Sequence, residues 1–413
     1  MTSRTSEGGA APLRRPSRLS RAVRRRANGA GLPPPTHRPA LAITLGLVLI
    51  AVWTVVAMGG EAWRVARPDY RWAFPQDHWA RPGYRTEWWY FTGHLATTGD
   101  APRRFGYQFT VFRVGLLSEL PARPSAWNAA NLVIGHAAIT DLAAGRHRFS
   151  ELLYREMPFL GGFGRYPDPL IAWSRAPAGT DGRWTLVWNG RGFDFAMVDR
   201  ARGVAFELNT EPAKPLVYQG PNGYSRKGAG ATAASQYYGF TRLRTAGRLA
   251  LDGATWSVRG ESWMDKEFGS NQLGENQVGW DWFSLQLADG RELMLYLLRQ
   301  KSGAIDFARG TLVARDGTVR YLAPEDWVVR SSDTWTSRAT GARYPSRWVI
   351  ELPGEGLRLE VVPELADQEN RSRLVPDLHY WEGAVRVLGR DGAPVGRGYV
   401  ELTGYGTKSR PAV

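Results

Sequence analysis

The 413-residue chain contains no cysteine and only six histidines. The lack of cysteine excludes disulfides, thiolate metal sites and cysteine nucleophiles. The histidines are scattered singly, so no metal site is expected. The chain also lacks a phosphate-binding loop, a dinucleotide-binding glycine motif, a zinc-protease motif and a serine-hydrolase elbow. We therefore expect neither a cofactor nor nucleotide-dependent or serine-hydrolase chemistry.

Positive charge is concentrated at the start of the chain. The net charge is +14, and residues 1–40 hold nine Arg and one Glu. This segment is also rich in Pro, Gly and Ala and has no apolar periodicity, so we predict a disordered cytoplasmic arm over 1–40. The remaining charge is spread thinly over the rest of the chain, so nucleic acid is not an expected partner.

Residues 41–58 form an uncharged apolar run. As a helix it would span about 27 Å, close to the hydrocarbon thickness of a bilayer. The preceding arginines place the arm in the cytoplasm. We predict a single-pass inner-membrane anchor over 41–60 in a bacterium, with the main domains in the periplasm. A signal peptide cleaved after Ala57 is the alternative.

Dipeptides that favour tight turns recur after residue 69. Asp-Gly and Asn-Gly accept positive φ at both central positions of a hairpin turn. The flanking segments alternate polar and apolar residues and are rich in Trp, Val, Phe and Tyr, as in sandwiches and barrels. The sequence therefore predicts an all-β fold. The turn pairs begin at residues 181, 189, 222, 252, 289, 316 and 391.

The stretch 88–96 resembles the stretch 280–288, which lies 192 residues later. Each stretch is followed by a turn and by a second strand that ends in an apolar residue and an arginine. Duplication of one β unit is the simplest explanation, and chance similarity of two aromatic hairpins is the alternative. We expect two similar domains, at residues 69–250 and 256–408.

The chain has 18 tryptophans, far above ordinary usage. A Trp-rich core explains most individual positions. As a set, the tryptophans favour an aromatic cavity for an apolar ligand, or a sugar-binding platform.

Carboxylates occur beside aromatic residues in several strand-like segments. In the segment 260–269, Glu261, Trp263, Asp265 and Glu267 share one strand face because side chains alternate. Apolar surroundings raise the pKa of a carboxyl group, which makes a general acid usable near neutral pH. The alternatives are an exposed face with solvated charges or a buried Asp that caps a turn. Similar segments surround Glu87, where a buried ion pair is the alternative, and Glu382.

Six segments together resemble the carotenoid 1,2-hydratase (hydroxyneurosporene synthase) and AttH-like family. The resemblance covers the chain from about residue 69 to the C-terminus, and it implies two tandem lipocalin-like β-barrel domains. The hydratase branch adds water to a C=C bond of an acyclic carotenoid without a cofactor, and some relatives are encoded beside ABC-type exporters. The segments are TEWWYFTGHL (86–95), QGPNGYSRKG (219–228), SQYYGFTRL (235–243), GESWMDKEFGSNQ (260–272), GWDWFSLQL (279–287) and HYWEG (379–383).

The resemblance implies a catalytic set in which Asp265 matches the acid that protonates the alkene. Gln236, Tyr238 and Trp263 stand where the hydratase branch has His, Trp and Tyr. We expect Trp263 and Tyr238 to stabilise positive charge and Gln236 to orient water. The predicted ligand-binding residues are Glu87, Trp89, Trp282, Trp381 and Glu382.

The sequence thus predicts an exported, membrane-anchored protein with barrels that hold a hydrophobic isoprenoid or lipid, and hydratase-like chemistry. The alternative is a non-catalytic periplasmic lipid carrier or an accessory protein of an ABC-type exporter. A carbohydrate-binding module is a third explanation of the tryptophan content.

Overall fold

The computed structural model describes residues 63–119 and 128–406. Within these ranges the protein has 23 strands, and its helices are single 3-10 turns at Gln76–His78, Pro221–Gly223, Pro324–Asp326 and Pro353–Glu355. The prediction of an all-β fold is confirmed. The predicted arm and anchor lie outside the described residues, and none of the helices that are described is long and apolar enough to cross a bilayer.

The first sheet contains 13 strands. They are β1 (Thr86–Thr97), β2 (Arg104–Gly115), β3 (Asn131–Asp141), β4 (Arg146–Arg155), β5 (Gly161–Phe163), β6 (Leu170–Arg175), β7 (Arg183–Trp188), β8 (Phe193–Asp199), β9 (Val204–Pro212), β10 (Val217–Tyr218), β11 (Tyr224–Arg226), β12 (Ala234–Leu251) and β13 (Ala254–Gly269).

The second sheet contains ten strands. They are β14 (Gln277–Leu287), β15 (Glu292–Gln300), β16 (Ile305–Val313), β17 (Val319–Leu322), β18 (Val328–Thr336), β19 (Arg343–Leu352), β20 (Leu357–Pro363), β21 (Glu369–Arg371), β22 (His379–Leu388) and β23 (Pro394–Leu402).

Both sheets curl into nearly closed barrels. The first has the order β4-β3-β2-β1-β13-β12-β9-β8-β7-β6-β5, and the second has the order β17-β16-β15-β14-β23-β22-β20-β19-β18. The outermost strands of each sheet follow one another in the chain. In the first sheet, a bridge between Met157 and Gly161 joins the end of β4 to β5. In the second, the turn at Pro324–Asp326 connects β17 to β18.

The strand orders of the two sheets correspond over nine positions, with β1 matching β14, β13 matching β23 and β12 matching β22. The predicted boundary near residues 250–256 falls at the turn between β12 and β13, where Asp252 and Gly253 have positive φ. Both strands of this hairpin belong to the first sheet, because β13 pairs with β1. The chain therefore passes to the second sheet between Gly269 and Gln277.

Aromatic and aliphatic side chains fill the interior of each barrel. In the first, Phe195 lies 4.9 Å from Phe109 and 4.6 Å from Phe91 between ring centroids. In the second, the rings of Phe283 and Trp348 are 5.6 Å apart. A third buried cluster contains residues of both sheets and joins the outer face of one to the outer face of the other. The sequence led us to expect a ligand inside the barrels. Because their interiors are filled, space for a ligand has to lie in the region between the two sheets instead.

Candidate active site

A cavity of about 450 Å³ lies between the two sheets. Its walls come from β1, β2, β3, β4, β12 and β13 on one side and from β14, β15, β22 and β23 on the other. Leu153, Leu374 and Val375 line it and are exposed to solvent, so they mark its opening. Its volume lies in the range of small-molecule sites. The aromatic and aliphatic wall includes Trp88, Tyr90, Phe112, Ile134, Leu273, Trp280, Trp282, Tyr296 and Leu298.

Strand β13 supplies the acidic part of this site. Side chains alternate along a strand, so Trp263, Asp265 and Glu267 face the second sheet, whereas Met264 and Lys266 face the interior of the first barrel. Asp265 and Glu267 both line the cavity, and Trp263 lies just behind them in the cluster that joins the sheets.

Asp265 is held by neutral hydrogen-bond donors. The Tyr237 hydroxyl donates to Oδ2 at 2.7 Å, and the Trp263 indole donates to Oδ1 at 2.9 Å. The Trp282 indole in turn donates to the Tyr237 hydroxyl at 3.3 Å. Within the described ranges, no lysine, arginine or histidine forms an ion pair with Asp265. Burial raises the pKa of Asp265 to about 7, although the two hydrogen bonds act in the opposite direction.

The neighbouring carboxylate, Glu267, has a cationic partner. Lys227 Nζ lies 2.8 Å from Glu267 Oε1, and the Ser235 hydroxyl donates to the same oxygen. The ammonium group also lies over the rings of Tyr237 and Tyr296, at 5.0 and 4.4 Å from their centroids. Glu267 is thus paired with a cation, which leaves Asp265 as the carboxyl group of β13 without an ion pair.

Two further carboxyl groups face this region from the second sheet. Glu382 on β22 and Glu401 on β23 are cross-strand partners. The Tyr90 hydroxyl donates to Glu382 at 2.6 Å, and the Trp280 indole donates to Glu401 at 2.9 Å. Burial raises the pKa of Glu401 to about 7. Burial, reinforced by the charge of Glu401, raises the pKa of Glu382 well above its usual range.

Two residues of the predicted catalytic set lie on the opposite face of β12. Tyr238 faces the first barrel, where its hydroxyl is 2.7 Å from Nδ1 of His78. Gln236 Nε2 donates to the backbone carbonyl of Arg67 at 2.5 Å. Both are buried away from the cavity because side chains alternate along a strand. Gln236 and Tyr238 are the neighbours of Tyr237, so they point to the other side of β12 while Tyr237 faces Asp265. The structure therefore brings Trp263 to the acid but not Tyr238 or Gln236.

The predicted ligand-binding residues are divided between different regions. Trp282 lines the cavity, and Glu382 lies behind Tyr90. Trp89 is in the core of the first barrel and Trp381 in that of the second. The Trp381 indole donates to the backbone carbonyl of Ala366 at 2.8 Å.

Glu87 contributes to the cavity wall, but its carboxylate is in a buried ion network. It accepts hydrogen bonds from Arg113 and Lys266. The Lys266 ammonium lies 3.5 Å from the ring centroid of Trp89. All four side chains are buried, so this network supports the barrel rather than presenting charge to a ligand.

Sequence reasoning missed Tyr237 and Glu401. Tyr237 lies in the segment 235–243, which is one of those that resemble the family. It differs from Tyr238 only in the face of β12 that it occupies, and its face is the one that meets Asp265. Glu401 has no local motif, and only the pairing of β23 with β14 brings it to the site. Among the described residues, no three His, Asp or Glu side chains are grouped so that they could hold a metal ion.

These features define an all-β protein in which two barrel-like sheets meet over an aromatic cavity with buried carboxylic acids. The chain belongs to the AttH-like family, whose pattern matches residues 65–405. This result confirms the resemblance to that family.

Two solved structures are similar to this one. The first is an AttH protein from Nitrosomonas europaea, with 33% sequence identity and a TM-score of 0.72, covering 83% of this chain and 99% of that one. The second is kievitone hydratase from Nectria haematococca, with 14% identity and a TM-score of 0.58, covering 84% and 95%. At that identity, the second likeness concerns the fold alone. A search of the curated proteins found no match.

Proposed function

We propose that this protein binds an acyclic isoprenoid in the cavity between the sheets and adds water to one of its C=C bonds, with Asp265 as the acid. The observation that carries the proposal is the state of Asp265: it is 2% exposed, faces an apolar cavity and has no ion-pair partner among the described residues. With a pKa of about 7, this carboxyl group holds a transferable proton near neutral pH.

The chemistry follows from this arrangement. The Asp265 carboxyl group transfers its proton to one carbon of the alkene, and the other carbon becomes a carbocation. The aromatic rings of Trp282 and Tyr90, which line the cavity, stabilise the cation. Water then forms the C–O bond and loses a proton to a carboxylate. The Tyr237 hydroxyl donates to Asp265 once it is ionised, which stabilises the anion after proton transfer.

A kievitone hydratase shares this architecture, which makes hydration compatible with the fold. The second candidate function is carriage of a lipid without chemistry. The apolar wall and the opening at Leu374 and Val375 favour it, because both would serve a carrier. A carrier, however, has no use for an unpaired acid at the cavity wall, since a neutral side chain would avoid the cost of burial. A membrane-anchored, periplasmic location is proposed for either function, and an ABC-type exporter is proposed as a partner for the carrier alone.

The test uses the full chain with geranylgeraniol as the probe in H₂¹⁸O and in D₂O. Geranylgeraniol already has one hydroxyl group, so hydration should give a diol whose new tertiary hydroxyl carries ¹⁸O and which, in D₂O, holds at least one carbon-bound deuterium, both measured by mass spectrometry. Asp265→Asn should bind the probe within threefold of the wild type and lose at least ~100-fold in product formation. The matched control is Asp100→Asn at an exposed turn, which should behave as the wild type.

Binding of geranylgeraniol by the wild type without formation of the diol would support the carrier function instead. Product formation in Asp265→Asn at the wild-type rate would remove Asp265 as the acid.

A further inference from the structure

The contact between Tyr90 and Trp282 relates the two halves of the site. These residues occupy matching places on β1 and β14, and their rings pack edge to face with centroids 5.2 Å apart. Each has a carboxylic acid directly across its strand pair: Tyr90 is opposite Asp265, and Trp282 is opposite Glu401. Asp265 and Glu401 therefore occupy equivalent positions in the two sheets.

The surroundings of the two acids are also alike. Each accepts a hydrogen bond of 2.9 Å from an indole N–H, that of Trp263 for Asp265 and that of Trp280 for Glu401. Both line the same cavity. Neither forms an ion pair with any residue in the described parts of the chain, and the charge of Glu267 acts on both to raise their pKa values.

The acids differ in one respect that separates their roles. Asp265 has a second donor, the Tyr237 hydroxyl, and is almost fully buried. Glu401 has no second side-chain donor among residues 63–119 and 128–406, and it is partly exposed toward the cavity. Its free oxygen is therefore able to accept a hydrogen bond from a water molecule beside the ligand.

We propose that Glu401 is a second catalytic residue of this cavity, the base that deprotonates the attacking water while Asp265 acts as the acid. This inference rests on the hydration proposed above. The Asp265 proton goes to an alkene carbon, the water oxygen bonds to the resulting cation, and the proton lost by that oxygen goes to the Glu401 carboxylate. Exchange with solvent through the opening returns Asp265 to the acid form and Glu401 to the carboxylate, so the net change is the addition of one water molecule.

The cross-strand residue opposite each acid supports this division into an acid and a base. Gly239 is the cross-strand partner of Asp265 on β12, whereas Glu382 is the cross-strand partner of Glu401 on β22. The glycine leaves room for the Asp265 carboxyl group, because a Cβ there would clash with its Oδ1. Burial, reinforced by the charge of Glu401, raises the pKa of Glu382 well above its usual range, which favours the neutral form of Glu382 and leaves Glu401 to carry the charge of that pair.

The experiment compares Glu401→Gln with Asp265→Asn, using geranylgeraniol in D₂O. Reversible protonation of the alkene exchanges deuterium into recovered probe, whereas capture of water forms the new tertiary alcohol, and this step is the alcohol formation that is measured. Glu401→Gln should keep deuterium exchange within about threefold of the wild type and lose at least ~100-fold in alcohol formation. Asp265→Asn should lose both. The matched control is Glu360→Gln, whose side chain forms a surface ion pair with Arg347 at 2.6 Å.

Glu401→Asp keeps a carboxylate one methylene shorter, and it should recover part of the alcohol formation. If Glu401→Gln fails to fold, this variant carries the test: its ratio of alcohol to exchange should fall below that of the wild type. Alcohol formation in Glu401→Gln within threefold of the wild type would overturn the role of Glu401 alone, and so would an unchanged ratio in Glu401→Asp. Loss of exchange and alcohol together in folded Glu401→Gln would also overturn it. A wild-type protein that makes no alcohol would overturn the proposed hydration itself and, with it, the role of Glu401.

Discussion

The hydroxyl of Tyr237 donates a hydrogen bond of 2.7 Å to Oδ2 of Asp265. A hydrogen bond to the charged form of a carboxyl group lowers its pKa. Tyr237→Phe should therefore raise the pKa of Asp265 further, by about one pH unit. Because the acid must be protonated to act, the alkaline limb of the pH profile of kcat/KM should move to higher pH by that amount.

The neighbouring residue provides the control. Tyr238→Phe removes a hydroxyl of the same kind on the opposite strand face, beside His78. It should cost stability but leave the alkaline limb in place. A shift of equal size in both variants would show that the limb does not report on Asp265.

Gly239 should not tolerate a larger side chain. A Cβ at this position would clash with Oδ1 of Asp265 and would lie 2.6 Å from the backbone carbonyl of Met264. Gly239→Ala should displace the acid and lower turnover at least tenfold, with a loss of stability of about 1–3 kcal/mol from overpacking. Gly354→Ala is the control, because its nearest neighbour is 3.8 Å away. Wild-type turnover in folded Gly239→Ala would contradict the placement of the acid.

Asp265 should make the stability depend on pH. Burial raises its pKa from 3.8 to about 7, so between these values the folded state binds the proton more tightly than the unfolded chain. The contribution of this group is fully present below about pH 4 and is lost as the pH rises through 7. Asp265→Asn removes this dependence, which amounts to at most roughly 4 kcal/mol.

The measurement is urea unfolding at pH 4.5 and pH 8 for both proteins. The wild type should lose more stability than Asp265→Asn over this interval, while Asp100→Asn should follow the wild type. Equal losses in the wild type and Asp265→Asn would show that the carboxyl group is not buried in the folded protein.

Removal of Glu87, the carboxylate of the buried ion network in the first barrel, should destabilise the protein strongly. Glu87 bonds both Arg113 and Lys266 in a buried site. Glu87→Gln leaves two buried cations without an anion and should lower the free energy of unfolding by about 3–5 kcal/mol. Adding Lys266→Met should restore part of it. Glu360→Gln at the surface should cost less than about 1 kcal/mol, and a similar value for Glu87→Gln would contradict the buried network.

Local patterns in the sequence were enough to predict the strands and one wall of the site. The alternation through 260–269 places Trp263, Asp265 and Glu267 on one face, as the structure has them. The turn at Asp252-Gly253 was also predictable, because few other pairs accept positive φ at both positions.

The position of the cavity could not be predicted from the same patterns. Both faces of β1 carry aromatic residues, with Trp89 and Phe91 inside the barrel and Trp88 and Tyr90 outside it. Periodicity separates the two sets without showing which one surrounds a void. Alternation along β12 leaves the same ambiguity: Tyr237 and Tyr238 are both aromatic and both buried, so the sequence does not show which of them faces the cavity. Only the pairing of Gly239 with Asp265 determines which tyrosine meets the acid.

The matching strand orders have a consequence for the origin of the site. A single barrel would expose the aromatic outer face that now covers its counterpart, and such patches rarely stay uncovered in water. An ancestor of half this length would therefore have required a second copy of itself, and its two cavity acids would have been identical by symmetry. If the two sheets arose by duplication, joining the copies in one chain would have released that constraint and allowed one position to hold Asp265 with two donors and the other to hold Glu401 with one.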